Sequence, residues 1–247
     1  MTKLIVLLLF FNTQIAQCQQ ETPNFKNDTI INHSAYSLSF NKKFHQANWV
    51  AYQLTKSETS NLFERENKFV ADPLISGTDL SLDYEKSGYD RGHLAPAADM
   101  GFSKTTMMES FYYTNMSPQL PGFNRGIWKQ LEEQTRNWAI EYDSLYIVVG
   151  PIFSDSMKII GPHRVAVPNA YYKVILDNHK EKEKMIGFVM NNESSKNSLQ
   201  SFVVTVDSIE VLTGIDFFPL LEDSLESKLE SLVLLNTWSW KNVKKKK

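Results

Sequence analysis

The stretch SGYDRGHLAPAADM, residues 87–100, decides the fold of this chain. Two charges of opposite sign, a glycine and a histidine stand next to one another in it, and an apolar, proline-containing segment follows. Arg91 is a permanent cation whose planar fork matches phosphate or carboxylate oxygens. Gly92 lets the backbone approach a ligand closely, and Asp90 is a candidate to orient the imidazole of His93 or to anchor the turn. Taken alone, these residues predict either a polar turn or the edge of an active site.

The composition restricts the class of protein. The chain has 247 residues, of which 42% are hydrophobic and 12% aromatic, and this argues for a folded globular protein rather than a disordered one. Its length suits one large domain or two small ones, and the lack of repeats and low-complexity linkers favours a single α+β domain. The formal net charge is −2, so a polyanion would have to meet a local positive field.

The first residues are typical of a secretory signal peptide. One lysine precedes the apolar run LIVLLLFF, which is too short to span a bilayer, and polar and small residues follow. We therefore assign residues 1–18 to the signal and expect a secreted or periplasmic protein, with no stable membrane insertion. Because Cys18 is the only cysteine, a chain cleaved after it has no thiol. The alternative is a lipid anchor on Cys18, although Gln17 does not fit the small residue expected before it.

The rest of the chain divides into three parts. We predict a flexible lead-in at 19–34, one folded domain at 35–240 and a basic tail at 241–247. Residues 124–140 form the best helix candidate, because their apolar side chains fall within about 40° on a helical wheel. Strands are predicted at 36–40, 48–55, 145–149, 171–176, 187–190 and 202–206, further helices at 107–113 and 220–234, and a long loop at 58–83.

Polar residues downstream of His93 extend the candidate site. Asn124 and Glu132 lie about 80° apart on the predicted helix, so both can face one rim of it. Glu132 and Arg136 can pair at i, i+4, and an amide oxygen with water is an environment that suits Mg²⁺. For each residue taken singly, the simpler interpretation is structural. Asn124 would be a helix N-cap, and Glu132 and Arg136 would form an exposed ion pair. No HExxH, paired CxxC or GxGxxG motif supports zinc peptidase or dinucleotide chemistry.

Taken together, two motifs resemble the DNA/RNA non-specific endonuclease family. They are DRGHLAPAADM and NMSPQLPGFNRGIWKQLE, and the family includes endonuclease G and secreted bacterial nucleases of the ββα-metal (His-Me finger) type. The likeness continues through NWVAYQLT, YIVVGPIF, VAVPNAYYKVIL and IEVLTGIDFFPLLED. It implies an α+β fold in which helices flank a central antiparallel β-sheet that carries a ββα-metal motif.

The resemblance also implies the residues that act on the bond to be cleaved. His93 would be the general base and Asn124 the one direct protein ligand of a single Mg²⁺, with Mn²⁺ or another divalent ion as the alternative. Glu132 would take part through water bound to the metal. Asp90 and Gly92 would shape the supporting loop.

The resemblance implies a second set of residues, which contact the nucleic acid. Arg91 and Arg136 would contact phosphate, and Asn115 would help to position the site and bind substrate. Arg65, in RENKFVAD, resembles the upstream arginine that stabilises the transition state, so Arg65 and Arg91 are counted with the catalytic residues. Arg125 departs from the family, because many members have glutamine there.

The implied activity is hydrolysis of phosphodiester bonds in DNA and RNA, with 5′-phosphate products. A neutral histidine with an ordinary pKa near 6.5 can accept the proton of the attacking water around neutral pH. The cation would offset charge on the phosphorane-like transition state and on the leaving 3′ oxygen. Two alternatives stay open: a phosphodiesterase acting on another phosphate ester, and a non-catalytic nucleic-acid-binding module of the same fold. Members of the family are often dimers, so a homodimer is a further expectation.

Overall fold

A seven-stranded antiparallel β-sheet forms the centre of the domain. The computed structural model describes residues 22–26 and 29–240. The strands lie in the order β1-β2-β3-β6-β9-β10-β11, and two small two-stranded sheets, β4-β5 and β7-β8, stand apart from this sheet. The strands are β1 (Ile30–Asn32), β2 (Ser37–Asn41), β3 (Gln46–Thr55), β4 (Asp90–His93), β5 (Met116–Gln119), β6 (Ser144–Ile152), β7 (Lys158–Ile160), β8 (Val165–Val167), β9 (Ala170–Asp177), β10 (Lys184–Asn191) and β11 (Val203–Val204).

Helices cover both faces of the central sheet. On β9, Tyr171 and Ile175 pack in the same buried cluster as Leu131, while Tyr172 packs with Ile209 on the other face. Successive side chains of a strand point to opposite faces, so this apolar strand contributes side chains to a buried core on each face of the sheet. The helices are α1 (Ser81–Tyr84), α2 (Lys104–Glu109), a π-helical segment (Phe123–Trp128), α3 (Lys129–Tyr142), α4 (Val206–Thr213) and α5 (Asp223–Glu230).

The hairpin β4-β5 and the helix that follows it form the predicted ββα unit. Strand β4 pairs antiparallel with β5, so that Asp90 lies opposite Gln119. Polar contacts attach β5 to the central sheet: the Ser117 hydroxyl bonds to Gln46 of β3 and to Tyr171 of β9, at 2.5 and 2.8 Å. The prediction of a central antiparallel sheet flanked by helices, with a ββα motif, is confirmed. The DRGH residues, expected in a loop, form a strand instead.

Most predicted strands are confirmed, but several boundaries were wrong. The lead-in expected at 19–34 contains β1, and His33 Nε2 lies 3.0 Å from Asp72 Oδ2, a partner far away in the chain. The helix predicted at 107–113 lies at 104–109, because Ser103 caps it by accepting from the Thr106 amide. The terminal helix predicted at 220–234 is shortened to α5, which Glu222 caps.

The strand predicted at 202–206 is shorter than expected. Strand β11 is only two residues long, because Thr205 accepts a hydrogen bond from the Ser208 amide and starts α4 where the strand was expected to continue. Strand β5 was not predicted, since MSPQ contains a proline and does not alternate. Within the described residues no helix is long and apolar enough to cross a membrane. The predicted signal at 1–18 and the basic tail at 241–247 lie outside the described residues.

Candidate active site

Asp90 joins the first strand of the ββα unit to the segment that carries Asn124. The Asn124 amide donates Nδ2 to Asp90 Oδ2 at 2.9 Å, and Arg125 donates Nε and Nη2 to the same carboxylate at 2.8 and 2.6 Å. Burial raises the pKa of Asp90, but the hydrogen bonds from Arg125 and Asn124 outweigh it and hold the pKa below its usual range. Because its nitrogen is engaged, Asn124 keeps Oδ1 as a free acceptor.

A kink in the helical segment Phe123–Trp128 determines where Asn124 points. Inside this segment the backbone at Gly126 is not helical, with φ −105° and ψ −113°, so the helix is interrupted between Asn124 and α3. Its N-cap is Gly122, so the interpretation of Asn124 as a helix cap is not supported. The wheel of 100° per residue therefore does not apply between Asn124 and Glu132.

His93 is buried at the end of β4. Only 7% of the residue is exposed, and its Nε2 has no hydrogen-bond partner among the described residues. Its ring meets the ring of Phe111 edge to face, with the centroids 4.9 Å apart. Burial and the nearby charge of Arg65 lower the pKa of His93 to about 3, and a hydrogen bond with the Arg91 backbone offsets only part of this. The imidazole is therefore neutral at neutral pH, with one nitrogen able to accept a proton.

Asn115 holds the backbone that follows His93. The residue is fully buried. Its Oδ1 accepts from the Ala95 amide, and its Nδ2 donates to the carbonyls of Ala95 and Ser110, all at 2.9 Å. The predicted contact of Asn115 with substrate is corrected here, because the side chain is buried and its amide is occupied by backbone groups. Its geometry is that of a positioning residue.

Glu132 and Arg136 do not form the predicted ion pair. Arg136 Nη1 instead contacts Asp99 Oδ1 at 2.6 Å, and Asp99 also accepts from the Tyr52 hydroxyl at 2.8 Å. Glu132 makes no hydrogen bond or ion pair within residues 22–26 and 29–240. Burial raises the pKa of Glu132 to about 7, although the charges of Lys173 and Arg136 act in the opposite direction. The guanidinium of Arg136 is held by Asp99. Its predicted contact with phosphate stays a prediction.

Aromatic rings position the other two arginines. Arg91 lies over the rings of Phe69 and Tyr84, 5.1 and 5.6 Å from their centroids, and its buried Nε has no partner in the described part of the chain. Arg65 lies 5.2 Å from the centroid of Phe111, the ring that also contacts His93. Arg65 thus places positive charge near the imidazole, whereas the guanidinium of Arg91 is held among aromatic rings.

Lys173 and Gln119 belong to the site but were not predicted. Lys173, on β9, is fully buried, and its Nζ lies 5.2 Å from the Trp128 ring without a hydrogen-bond partner in the described residues. A single lysine inside the apolar strand YYKVIL was a signal that could have revealed it. Gln119 is packed against Gly92 so closely that a Cβ there would lie 2.2 Å from Gln119 Oε1. Gly92 is therefore required by a protein contact rather than by a ligand.

The groups around Asn124 fit a divalent cation. Asn124 Oδ1 and the Glu132 carboxylate are oxygen donors without hydrogen-bonding partners in the described residues, and hard oxygens are the donors that Mg²⁺ and Mn²⁺ accept. A separate group of carboxylates, Asp207, Glu210 and Glu230, lies on α4 and α5, which cover the opposite face of the sheet. That group includes none of the predicted metal ligands.

Comparisons with known proteins all lead to nucleases. The family model described as DNA/RNA non-specific endonuclease matches residues 15–224. The chain is 32% identical to a nuclease of Nostoc sp., over 92% of this chain and 86% of the relative. It is 31% identical to the mitochondrial endonuclease G of Homo sapiens, over 75% of this chain and 68% of the relative. A crystal structure of the EndoG/EndoGI complex, concerned with EndoG inhibition, matches with a TM-score of 0.78 and 31% identity, over 85% of this chain and 93% of that chain.

Proposed function

The chain belongs to the DNA/RNA non-specific endonuclease family and is a metal-dependent endonuclease, and we propose that it hydrolyses phosphodiester bonds in both DNA and RNA with Mg²⁺. The observation that carries the proposal is the buried, neutral His93, whose free Nε2 belongs to the same ββα unit as the pair formed by Asp90 and Asn124. A base and a set of oxygen donors on one hairpin and its helix are what hydrolysis of a phosphodiester requires.

His93 acts as the general base in this proposal. Its Nε2 accepts the proton of the water that attacks phosphorus. Burial keeps the imidazole neutral in the free protein but lowers its proton affinity, and the negative charge of a phosphate bound beside it would raise that affinity again. Arg65 and Arg91 lie over the rings of Phe111 and Phe69, which both contact His93, and in this proposal they stabilise the negative charge that develops on the phosphate oxygens. The 3′ oxygen leaves, so the products carry a 5′ phosphate.

Two residues would hold the cation, Asn124 directly through Oδ1 and Glu132 through water. When bound, the cation supplies positive charge that stabilises the phosphorane-like transition state and the leaving oxygen. Asp90 keeps the Asn124 oxygen directed toward the site by accepting from its nitrogen. Contacts directed mainly at phosphate carry no sequence information, which accounts for cleavage without sequence preference.

The experiment is cleavage of plasmid DNA and of RNA by the purified protein, with Mg²⁺ and with EDTA. We expect both polymers to be cut only with metal and the new ends to carry 5′ phosphate. His93→Ala is expected to abolish cleavage but to retain metal binding, whereas Asn124→Ala weakens metal binding itself. If neither polymer is cut with Mg²⁺ or Mn²⁺, the nuclease proposal is wrong. Hydrolysis of a small phosphodiester alone would then favour a phosphodiesterase, and binding without cleavage a non-catalytic module.

We also propose that the protein is secreted or periplasmic, on the strength of the apolar run near its N-terminus. The alternative is a lipid anchor at Cys18. Mass spectrometry of protein recovered from culture medium and from membranes separates the two, because a lipid-modified Cys18 adds the mass of its acyl chains. Light scattering of the same material tests the homodimer implied by the family.

A further inference from the structure

A cleft of about 430 Å³ is lined by Arg65, whose charge acts on His93. Its other walls are mainly apolar and include Leu62, Phe63, Ala97 and Met107, with Asn61 and Glu64 as its further polar residues. Leu62 is 72% exposed and Phe63 42% exposed, so both present apolar surface to solvent. The mechanism above uses only Arg65 of these residues, and nothing in it accounts for two large apolar side chains held in solvent.

The segment that carries Leu62 and Phe63 is fixed to the domain. The backbone amides of both residues donate to the Gly101 carbonyl, at 3.0 and 3.1 Å. The Asn61 side chain packs closely on Gly101, because a Cβ there would lie 2.3 Å from Asn61 Oδ1. The two apolar side chains are therefore presented in a defined place, as in a prepared binding surface.

The cleft is continuous with the active site. Arg65 lines it and also lies 5.2 Å from the centroid of Phe111, whose ring contacts His93. Ala97 belongs to the segment that leaves β4 only four residues after His93. A nucleotide whose phosphate lies between His93 and Arg65 therefore has its base within reach of this cleft.

We propose that the cleft is a subsite for an unpaired nucleobase next to the bond that is cleaved, with Phe63 as the stacking platform and Leu62 as the apolar edge. The inference rests on the proposed function. A base offers a flat apolar face to Phe63, and its phosphate offers negative charge to Arg65, so both parts of a nucleotide are matched. A base inside a duplex is already stacked and paired, and it cannot enter the cleft without leaving the helix. The subsite thus favours single-stranded DNA and RNA over duplex.

The test measures binding and cleavage separately. For binding, His93→Ala protein in EDTA is titrated against three fluorescent probes by anisotropy: a single strand, the matching duplex, and an abasic strand of equal length. The abasic strand keeps the phosphates and lacks the bases. We expect Phe63→Ala to weaken binding of the single strand by about 5- to 20-fold and to leave the abasic strand unchanged, since stacking on an aromatic residue carries an affinity of this order. Phe63→Trp should restore binding.

Val211→Ala is the matched control, because Val211 is 87% exposed on α4, which packs on the opposite face of the sheet. Equal affinity of Phe63→Ala and the parent for the single strand would overturn the subsite, and so would an equal loss on the abasic strand. Cleavage by protein with His93 intact tests the proposed function and not the subsite. If this protein cuts none of the three probes with Mg²⁺, the proposed function fails, while the anisotropy result still decides the subsite.

Discussion

Asp90→Ala is the change that most directly tests how this site is held together. The carboxylate of Asp90 fixes Asn124 by accepting from its nitrogen at 2.9 Å, and its removal frees the Asn124 side chain to rotate. The oxygen of Asn124 then no longer has a fixed direction. We expect the protein to stay folded, because Asp90 belongs to none of the buried apolar clusters and Arg125, one of its two partners, is 72% exposed and can turn to water.

The size of the effect follows from the role of such a supporting contact. Loss of a residue that orients a metal ligand typically reduces metal affinity by about 10- to 100-fold, equivalent to about 1.4 to 2.7 kcal/mol. The ion pair between Arg125 and Asp90 should affect metal affinity less than the hydrogen bond between Asn124 and Asp90. The Arg125 side chain is 72% exposed, so water screens this ion pair. Arg125→Gln therefore serves as the matched control and should change metal affinity by less than about 3-fold.

The assay measures free Mn²⁺ by electron paramagnetic resonance during titration of the protein. Asn124→Ala gives the baseline for ions held elsewhere, and the Mg²⁺ concentration for half-maximal cleavage gives an independent second reading. Thermal unfolding shows whether each variant is folded. An Asp90→Ala protein that is folded and binds Mn²⁺ as tightly as the parent would refute the argument that Asp90 directs the Asn124 oxygen. An equal loss in Arg125→Gln would refute the ranking of the two contacts.

Three other outcomes are expected. Gly92→Ala should lower the free energy of unfolding by about 1 to 3 kcal/mol, measured by urea denaturation, because its Cβ would overlap Gln119. Asn115→Ala should cost about 2 to 5 kcal/mol in the same assay by leaving buried backbone groups unpaired; a smaller loss than that of Gly92→Ala contradicts this. Burial and the neighbouring carboxylates, Glu210 first among them, raise the pKa of Glu230 from 4.5 to about 8. Stability should therefore fall as pH rises from about 5 to 9, and Glu230→Gln should reduce that fall; an unchanged pH dependence argues against it.

The order of the motifs along the sequence was sufficient to predict the fold. DRGH and the segment around Asn124 stand in the order that the family pattern requires, and the fold expected from that pattern is confirmed. The apolar strands around Val149 and Tyr171 were predicted from composition alone, because burial on both faces leaves long apolar runs.

Partners distant in the chain could not be predicted. Helical spacing favoured Glu132 as the partner of Arg136, yet Arg136 bonds to Asp99, because the segment after β4 packs in the same buried cluster as α3. In the same way, Asn115 resembled a substrate contact until its amide was found bonded to Ala95, 20 residues away. A spacing rule describes one element at a time, whereas these contacts depend on how two elements pack.

The kink at Gly126 has a consequence for how this enzyme can vary. The backbone at Gly126 is not helical, so the helix is interrupted between Asn124 and Glu132. If the chain were regular helix through this point, Asn124 would point in a different direction relative to Glu132 and would no longer face Asp90 in the same way. The direction of the interruption, and not helical spacing, therefore sets how the two oxygen donors stand to each other.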